Sequence, residues 1–366
     1  MYQERNADKI RLWRGTGINR LVADDDADSS DSMLEKIPHL NNQVEAMVNN
    51  ALEDSTGYTK TKEETRELLD YIYSNETVQE NTAHSVSEEL TNKLEEYEPS
   101  KILSLINALA PIDEYLYRHS MNVGLLNGLI GKWSNMSADE IFNLVLIGLL
   151  HDCGKALIPP PVLNAPRKLT TVEFEVMKMH AIYSYDILSD FPGTVRIAAR
   201  SHHEKLNGLG YPYKFIGKEI PLEARITAIS DIYDAMVSQR SYKKSQSPFK
   251  VLDELSKLKG TELDSDLVDL YVKNMPKELI GKEVVMSNGK IGVVHSINYD
   301  DIVYPVISYG GREIQSNEYW YCTHMHISDD DDAQSGKITP NEPQTAYQTQ
   351  EAQTQTTVHR LLKSAR

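Results

Sequence analysis

Five histidines between residues 119 and 203 constrain the fold of this chain more than any other feature of its sequence. They are His119, His151, His180, His202 and His203. Each falls in a segment whose pattern predicts a helix or a helix end. An imidazole is costly to bury without a partner, and it binds metal ions well when it is neutral. One such histidine is more often an ordinary residue, but five in order favour a fold that brings several helices to one point.

Two aspartates accompany the histidines. Asp152 follows His151 directly, at the end of the apolar segment IFNLVLIGLL, where a charge without a partner is costly. Asp231 lies beside an apolar face in ARITAISDIYDAM, and Asp234 lies on the same side of that predicted helix. Five imidazoles and two carboxylates exceed the needs of one ion, and the short ligand spacings of a structural zinc site are absent. The set suits two ions with one bridging carboxylate, and mixed imidazole and carboxylate ligation favours Fe, Mn, Co or Zn over Mg or Ca.

A pair of metal ions points to a class of reaction. Two metals about 3.5–4 Å apart share a hydroxide and polarise a phosphoryl oxygen, the arrangement used for phosphoester hydrolysis. A phosphate substrate also needs cations outside the ligand set. Lys155 follows Asp152 by three residues, and Arg240 and Lys243 follow Asp231. These three side chains are the candidate phosphate contacts.

Composition excludes several other classes of protein. The chain of 366 residues has 38 Lys and Arg against 54 Asp and Glu, a formal net charge of −16, which disfavours nucleic acid and anionic lipid as partners. Its two cysteines, Cys153 and Cys322, are too far apart in sequence to form a disulfide framework. The N-terminal residues lack the apolar region of a secretory signal, and the longest apolar stretch is about half of the ~20 residues that span a bilayer. We therefore expect a cytoplasmic protein with no membrane insertion.

Changes in composition divide the chain into five parts. A polar segment with an acidic cluster, predicted to be mostly disordered, is followed by a short helical segment, an apolar-rich helical domain, a small β module and a disordered tail rich in Gln, Thr and Asp. In order these are residues 1–60, 61–99, 100–275, 276–327 and 328–366.

Local signals mark some of the boundaries between elements. Ser137 and Thr170 are each followed three residues later by a glutamate, which is the spacing of a capping box at a helix start. Asn288 and Gly289 form an Asn-Gly pair between β-branched runs, which predicts a hairpin turn.

Three motifs in this order resemble the HD-GYP family, a branch of the HD-domain metal-dependent phosphohydrolases. They are HDCGK at residues 151–155, HHEKLNGLGYP at 202–212 and DIYDAMVSQRSYK at 231–243. The resemblance spans about residues 100–275. It implies a mainly α fold, an HD-domain helical bundle with a bimetallic centre, followed here by the small C-terminal β module. It also implies hydrolysis of cyclic di-GMP to pGpG or GMP.

The resemblance also implies roles for single residues. The metal ligands would be His119, His151, Asp152, His180, His202, His203 and Asp231, with Asp152 bridging. Lys155, Arg240 and Lys243 would contact phosphate, and Tyr211 would line the substrate pocket, in a loop that glycines allow to turn tightly. Tyr115 stands where members with three metals carry a glutamate, so we expect two divalent ions, Fe or Mn. GGDEF-type synthases are the partners that the family suggests, and a homodimer is left open.

Several functions remain open from the sequence. In the first hypothesis the chain is a cyclic di-GMP phosphodiesterase in which Asp152 and Lys155 act at the reacting phosphate and Asp234 delivers a proton to the leaving 3′ oxygen. Alternatives are a non-catalytic cyclic di-GMP receptor and an HD phosphohydrolase that acts on another nucleotide, such as a hybrid cyclic dinucleotide. An interaction module without a ligand would leave seven potential metal ligands without a purpose.

Overall fold

The computed structural model describes residues 58–107, 115–238 and 246–325. The predicted disordered tail and almost all of the predicted disordered N-terminal segment lie outside the described residues, and so do Arg240 and Lys243. The described parts contain eleven α-helices: α1 Tyr58–Asn75, α2 Glu80–Glu96, α3 Pro99–Asn107, α4 Tyr115–Trp133, α5 Ala138–Leu150, α6 Pro160–Leu163, α7 Thr171–Ile187, α8 Gly193–Ser201, α9 Leu222–Val237, α10 Pro248–Leu258 and α11 Ser265–Asn274. Short 3-10 helices lie at Cys153–Leu157, Gly217–Glu219 and Met275–Leu279.

Both predicted capping boxes are confirmed, and both begin helices that lead to the clustered histidines. The Ser137 backbone N–H donates to Glu140 Oε2 at 2.9 Å, and the Glu140 N–H donates back to Ser137 Oγ at 3.4 Å. Thr170 and Glu173 repeat the exchange, at 2.8 Å and 3.3 Å. Such a cap contributes about 1 kcal/mol to a helix, so the starts of α5 and α7 are fixed by local sequence.

Helix α5 is the centre of the helical core. Its residues from Leu144 to Leu150 are all buried. It packs closely on α4, because a Cβ placed on Gly148 would lie 2.5 Å from Cα of Gly124. This approach is open only to glycine, and it places the end of α5, where His151 lies, beside the helix that carries His119.

Helices α1 and α2 share this core, although the sequence predicted them as a separate segment. Leu68, Ile72, Leu90 and Leu94 are at most 1% exposed and belong to the same cluster of buried side chains as α4 and α5. A hydrogen bond from the Tyr117 hydroxyl to Asp70 Oδ1, of 2.9 Å, joins α1 to the start of α4. The helical unit therefore begins before residue 100.

The predicted β module is a five-stranded antiparallel sheet with the strands β1 Glu283–Met286, β2 Ile291–Ser296, β3 Val306–Tyr309, β4 Arg312–Gln315 and β5 Cys322–Met325. Their order in the sheet is β4-β3-β2-β1-β5. The predicted turn at Asn288 and Gly289 joins β1 to β2, with Gly289 at φ 75°. Buried side chains of the sheet, such as Met286 and Cys322, continue the helical core. None of the described helices has the length and apolar character needed to cross a bilayer.

Candidate metal centre

The structure brings the predicted metal ligands together from five helices. His119 lies in α4, His151 and Asp152 follow α5, His180 lies in α7, His202 and His203 follow α8, and Asp231 lies in α9. Two groups of side chains each place their potential ligand atoms within 4.8 Å of one another: Asp152, His180, His202 and His203 in the first, and His119, His151 and Asp152 in the second. Asp152 is the residue common to both.

The two carboxylate oxygens of Asp152 face different imidazoles. Oδ1 lies 3.3 Å from Nε2 of His180 and 3.9 Å from Nε2 of His202. Oδ2 lies 3.2 Å from Nε2 of His151 and 3.7 Å from Nε2 of His119. A carboxylate between two sets of imidazoles is the arrangement that two ions sharing one bridging ligand require.

Three of these histidines are oriented by the same local device, a hydrogen bond from Nδ1 to the carbonyl oxygen three residues earlier. The pairs are His151 with Gly148, His180 with Met177 and His202 with Ala199, each at 2.7 Å. A carbonyl oxygen only accepts, so Nδ1 carries the proton and the neutral ring presents a lone pair at Nε2. All three Nε2 atoms are buried without a hydrogen-bond partner, as is Asp152 Oδ1. Buried polar atoms are nearly always satisfied, so these four orphaned atoms fit metal ions as their missing partners.

Asp231 and Asp234 lie on opposite sides of the His119 ring. Asp231 Oδ1 is 3.2 Å from His119 Nε2, and its Oδ2 is 3.8 Å from His203 Nδ1, so this carboxylate lies beside the centre. Asp234 is fully buried, with Oδ2 at 2.7 Å from His119 Nδ1. Its Oδ1 accepts hydrogen bonds from Asn122 Nδ2 at 2.7 Å and from the Ser238 hydroxyl at 3.1 Å. Asp234 therefore contacts the back of His119 rather than the space between the predicted ligands.

The electrostatics of the centre differ among its groups. Burial lowers the pKa of His119, but its hydrogen bonds to Asp231 and Asp234 outweigh burial and raise that pKa to about 9. Burial would raise the pKa of Asp152, but Lys155 and His151 outweigh it and hold that pKa well below its usual range. Burial lowers the pKa of His202 well below its usual value, and it lowers the pKa of His203 to about 3. The aspartate is thus ionised and these imidazoles are neutral at pH 7.

Two of the predicted substrate contacts lie beside this centre. The Lys155 ammonium pairs with Asp152 and is partly exposed. The Tyr211 ring lies against His203, with ring centres 4.7 Å apart and planes at 32°. Both side chains are partly buried and contact residues of the cluster.

The loop that carries Tyr211 is organised by Glu204, which the sequence reasoning missed. The Glu204 carboxylate is buried and accepts hydrogen bonds from the backbone N–H groups of Tyr213, Lys214 and Phe215, at 2.7, 3.1 and 3.1 Å. Gly210 lies so close to the preceding chain that a Cβ there would be 2.4 Å from a backbone nitrogen. The signal available in the sequence was an acidic residue directly between the His-His pair and a glycine-rich loop.

Ser184 is a second residue that the sequence reasoning left without a role. Its buried hydroxyl accepts from the Gly154 N–H and donates to the His151 carbonyl, both at 2.9 Å. A Cβ on Gly154 would lie 2.1 Å from the carbonyl oxygen of His180. The turn that holds His151 and Asp152 is thus fastened directly to α7.

Comparisons with known proteins agree with this fold and site. The HD domain family model matches residues 101–267, in agreement with the helical fold of this part of the chain. The resemblance to the HD-GYP branch is confirmed by the relatives that the chain matches. The chain is 33% identical to a cyclic di-GMP phosphodiesterase of Pseudomonas aeruginosa over 199 residues. These residues make up 54% of this chain and 48% of the relative. The chain is also 31% identical to the 3′3′-cGAMP-specific phosphodiesterase 2 of Vibrio cholerae over 185 residues. These make up 50% of this chain and 35% of that relative.

A solved structure supports the fold alone. An HDG"Y"P protein from Bdellovibrio bacteriovorus superimposes with a TM-score of 0.50 at 14% identity, over 67% of this chain and 81% of that protein. The chain spans about half or less of the length of the two curated relatives described above.

Proposed function

We propose that this chain is a metal-dependent phosphodiesterase that hydrolyses cyclic di-GMP to pGpG or GMP. The observation that carries the proposal is the buried cluster in which the two oxygens of Asp152 face separate imidazoles whose Nε2 atoms have no other partner. The relatives named for cyclic di-GMP and 3′3′-cGAMP support a cyclic dinucleotide as the substrate class.

The proposed cofactor is a pair of divalent transition metal ions, Fe or Mn. Asp152 would lie between them, and the other proposed ligands are His119, His151, His180, His202, His203 and Asp231. Mixed imidazole and carboxylate donors support these metals over Mg or Ca. Bound there, the ions would supply Lewis acidity toward a phosphoryl oxygen and a nucleophile at neutral pH.

The chain's own cations and aromatic ring would place the substrate. The Lys155 ammonium, next to Asp152 and partly exposed, is within reach of a non-bridging oxygen of a phosphate at the centre, where its charge would offset the charge that develops on phosphorus oxygens. Tyr211 would form a wall of the pocket through its contact with His203. Arg240 and Lys243 remain proposed phosphate contacts.

The contacts of Asp234 support a role different from the proton transfer predicted for this residue. The Asp234 carboxylate is fully buried, and it accepts from His119, Asn122 and Ser238 rather than facing the space between the proposed ligands. Its contact with His119 Nδ1 would instead fix the orientation of that ring and raise the basicity of Nε2. We therefore assign Asp234 as a positioning residue.

A turnover assay tests the proposal. Full-length protein, purified without oxygen and loaded with Fe(II) or Mn(II), is incubated with cyclic di-GMP, and pGpG and GMP are separated and quantified. We expect metal-dependent product that Asp152→Ala lacks and that Asp190→Ala, at an exposed aspartate away from the centre, retains. Tight binding without turnover under either metal would favour the receptor, and neither binding nor turnover would refute the proposal.

The relatives named for 3′3′-cGAMP motivate a second candidate, hydrolysis of that hybrid cyclic dinucleotide. Parallel assays with cyclic di-GMP and 3′3′-cGAMP would rank the two substrates by kcat/KM.

The location and partners of the protein are also proposals. Cys153 and Cys322 are buried free thiols, which supports a reducing compartment such as the cytoplasm. GGDEF-type synthases are proposed partners and a homodimer is the proposed assembly, to be tested by co-purification and by light scattering.

A further inference from the structure

Three side chains in the first two turns of α7 form a cluster that the proposed chemistry does not use. They are Phe174, Glu175 and Lys178. The Lys178 ammonium lies 2.6 Å from Glu175 Oε1 and 4.9 Å from the centre of the Phe174 ring. Phe174 is 46% exposed.

This cluster is the next feature outward from the metal centre. Tyr211 lies between the two: its ring contacts His203 on the inner side, and its centre is 6.5 Å from that of Phe174, with the planes at 81°. The Lys178 ammonium is 5.7 Å from the centre of the same Tyr211 ring. Helix α7 also carries His180, so one rigid element fixes the distance between the centre and the cluster. Because the cluster contacts Tyr211, which itself contacts His203, a base placed on the cluster would lie on the Tyr211 side of the centre.

The three side chains together match the chemistry of a guanine base. An exposed aromatic ring is a stacking platform for any nucleobase. Guanine presents two donors on its Watson–Crick edge, N1–H and the N2 amino group, which a carboxylate such as Glu175 accepts together. It also presents acceptors at O6 and N7, to which the Lys178 ammonium donates. Adenine places an acceptor at N1 against the same carboxylate, so the pair of charges distinguishes the two purines.

The contact between Glu175 and Lys178 does not close the cluster to a ligand. Their side chains are 62% and 26% exposed, and an ion pair of that kind contributes little to stability. Both groups retain unused hydrogen-bonding capacity, because a carboxylate has four lone-pair sites and an ammonium has three donors.

We propose that Phe174, Glu175 and Lys178 form the subsite for one guanine base of the substrate and select guanine over adenine. The proposal rests on the proposed function in one respect, that a phosphodiester is held at the Asp152 centre. Phe174 supplies stacking, which is indifferent to the purine, and Glu175 with Lys178 supplies the discrimination.

The test compares guanine with adenine in the Mn(II)-loaded full chain. Dissociation constants of GMP and AMP are measured by calorimetry, and kcat/KM is measured for cyclic di-GMP and cyclic di-AMP. Glu175→Gln is expected to reduce the preference for GMP over AMP by about tenfold, equivalent to about 1.4 kcal/mol. Phe174→Ala is expected to weaken both nucleotides about equally. Glu254→Gln and Lys257→Gln are matched controls, since these residues form an exposed pair of the same spacing on α10, 2.9 Å apart, and both should leave the preference unchanged.

The outcomes separate this proposal from the proposed function. If cyclic di-GMP is not hydrolysed, but GMP binds more tightly than AMP and Glu175→Gln removes the difference, then the proposed reaction fails and the guanine subsite stands. If the wild-type chain binds GMP and AMP equally, or if Glu175→Gln keeps the full preference, the subsite assignment is overturned whatever the turnover. Glu175 and Phe174 are exposed, so both variants should fold, and far-UV circular dichroism checks this.

Discussion

Replacing Ser184 with alanine should loosen the metal centre without touching a proposed ligand. The Ser184 hydroxyl is the link between α7 and the turn after α5, because it accepts from the Gly154 N–H and donates to the His151 carbonyl, both at 2.9 Å. The side chain is fully buried, so water cannot replace it. Alanine has nearly the same shape, and the cost should therefore come from the two hydrogen bonds rather than from a cavity.

The expected magnitude follows from the two backbone groups that lose their partner. A buried donor or acceptor left unsatisfied costs about 1–3 kcal/mol, so the loss of partners for two such groups in Ser184→Ala should lower the free energy of unfolding by about 2–6 kcal/mol. The freed turn carries Asp152, whose Oδ1 is 3.3 Å from Nε2 of His180 on the other side of the link. Loss of such a supporting contact typically weakens metal binding by about 10- to 100-fold.

Two measurements check this prediction. Denaturant unfolding of the metal-free protein, followed by far-UV circular dichroism, gives the change in stability, and titration with Mn(II) gives the change in affinity. Ser189→Ala is the matched control, since that serine is exposed and its hydroxyl reaches only Asp190, at 3.3 Å. Ser184→Ala with the stability and the Mn(II) affinity of the control would refute the reasoning.

Four further changes test other parts of the site. Asp234→Asn should weaken metal binding by about 10- to 100-fold, because His119 Nδ1 loses its charged acceptor; a metal titration with wild-type affinity would contradict the positioning role. Gly210→Ala should lower stability by about 1–3 kcal/mol, as its Cβ would lie 2.4 Å from a backbone nitrogen that cannot yield, and a thermal melt would detect this. Glu204→Gln should lower the free energy of unfolding by about 1–3 kcal/mol, because the amide keeps only one oxygen for three backbone N–H groups. An unchanged midpoint of denaturant unfolding would contradict this. Removal of metal with a chelator should lower the melting temperature of the wild type but leave that of Asp152→Ala unchanged. An equal drop in both proteins would mean that the ions bind elsewhere.

The elements around the centre were predictable where the signal is local. The capping boxes at Ser137 and Thr170 depend on residues three apart, and the turn at Gly289 depends on one dipeptide. The end of α5 was also visible, since an apolar helix that stops at a histidine and an aspartate has few ways to satisfy them. Such features need no knowledge of which segments meet.

Glu204 was missed although its partners lie only 9 to 11 residues away, whereas the roles of Ser184 and Asp234 depend on contacts between distant segments. Ser184 and Gly154 are 30 residues apart, and no local sequence pattern predicts the contact between them. The interpretation of Asp234 as a proton donor followed from its place on the same face as Asp231. The structure instead turns it toward His119 in α4, 115 residues away in sequence. The direction of a side chain within a packed core depends on the residue that it contacts, and local sequence periodicity does not identify that residue.

The burial of α1 and α2 in the common core has a consequence for how this protein can be divided. The match to the HD domain family model begins at residue 101, yet Leu68 and Leu94 lie within the same core as the helices that carry the histidines. The hydroxyl of Tyr117, two residues before His119, is held by Asp70. A fragment that began at residue 101 would keep every motif but lose α1 and α2, which pack against the helices that carry them. In evolution, as in the laboratory, residues 58–96 should be inherited together with the segments that carry the histidines.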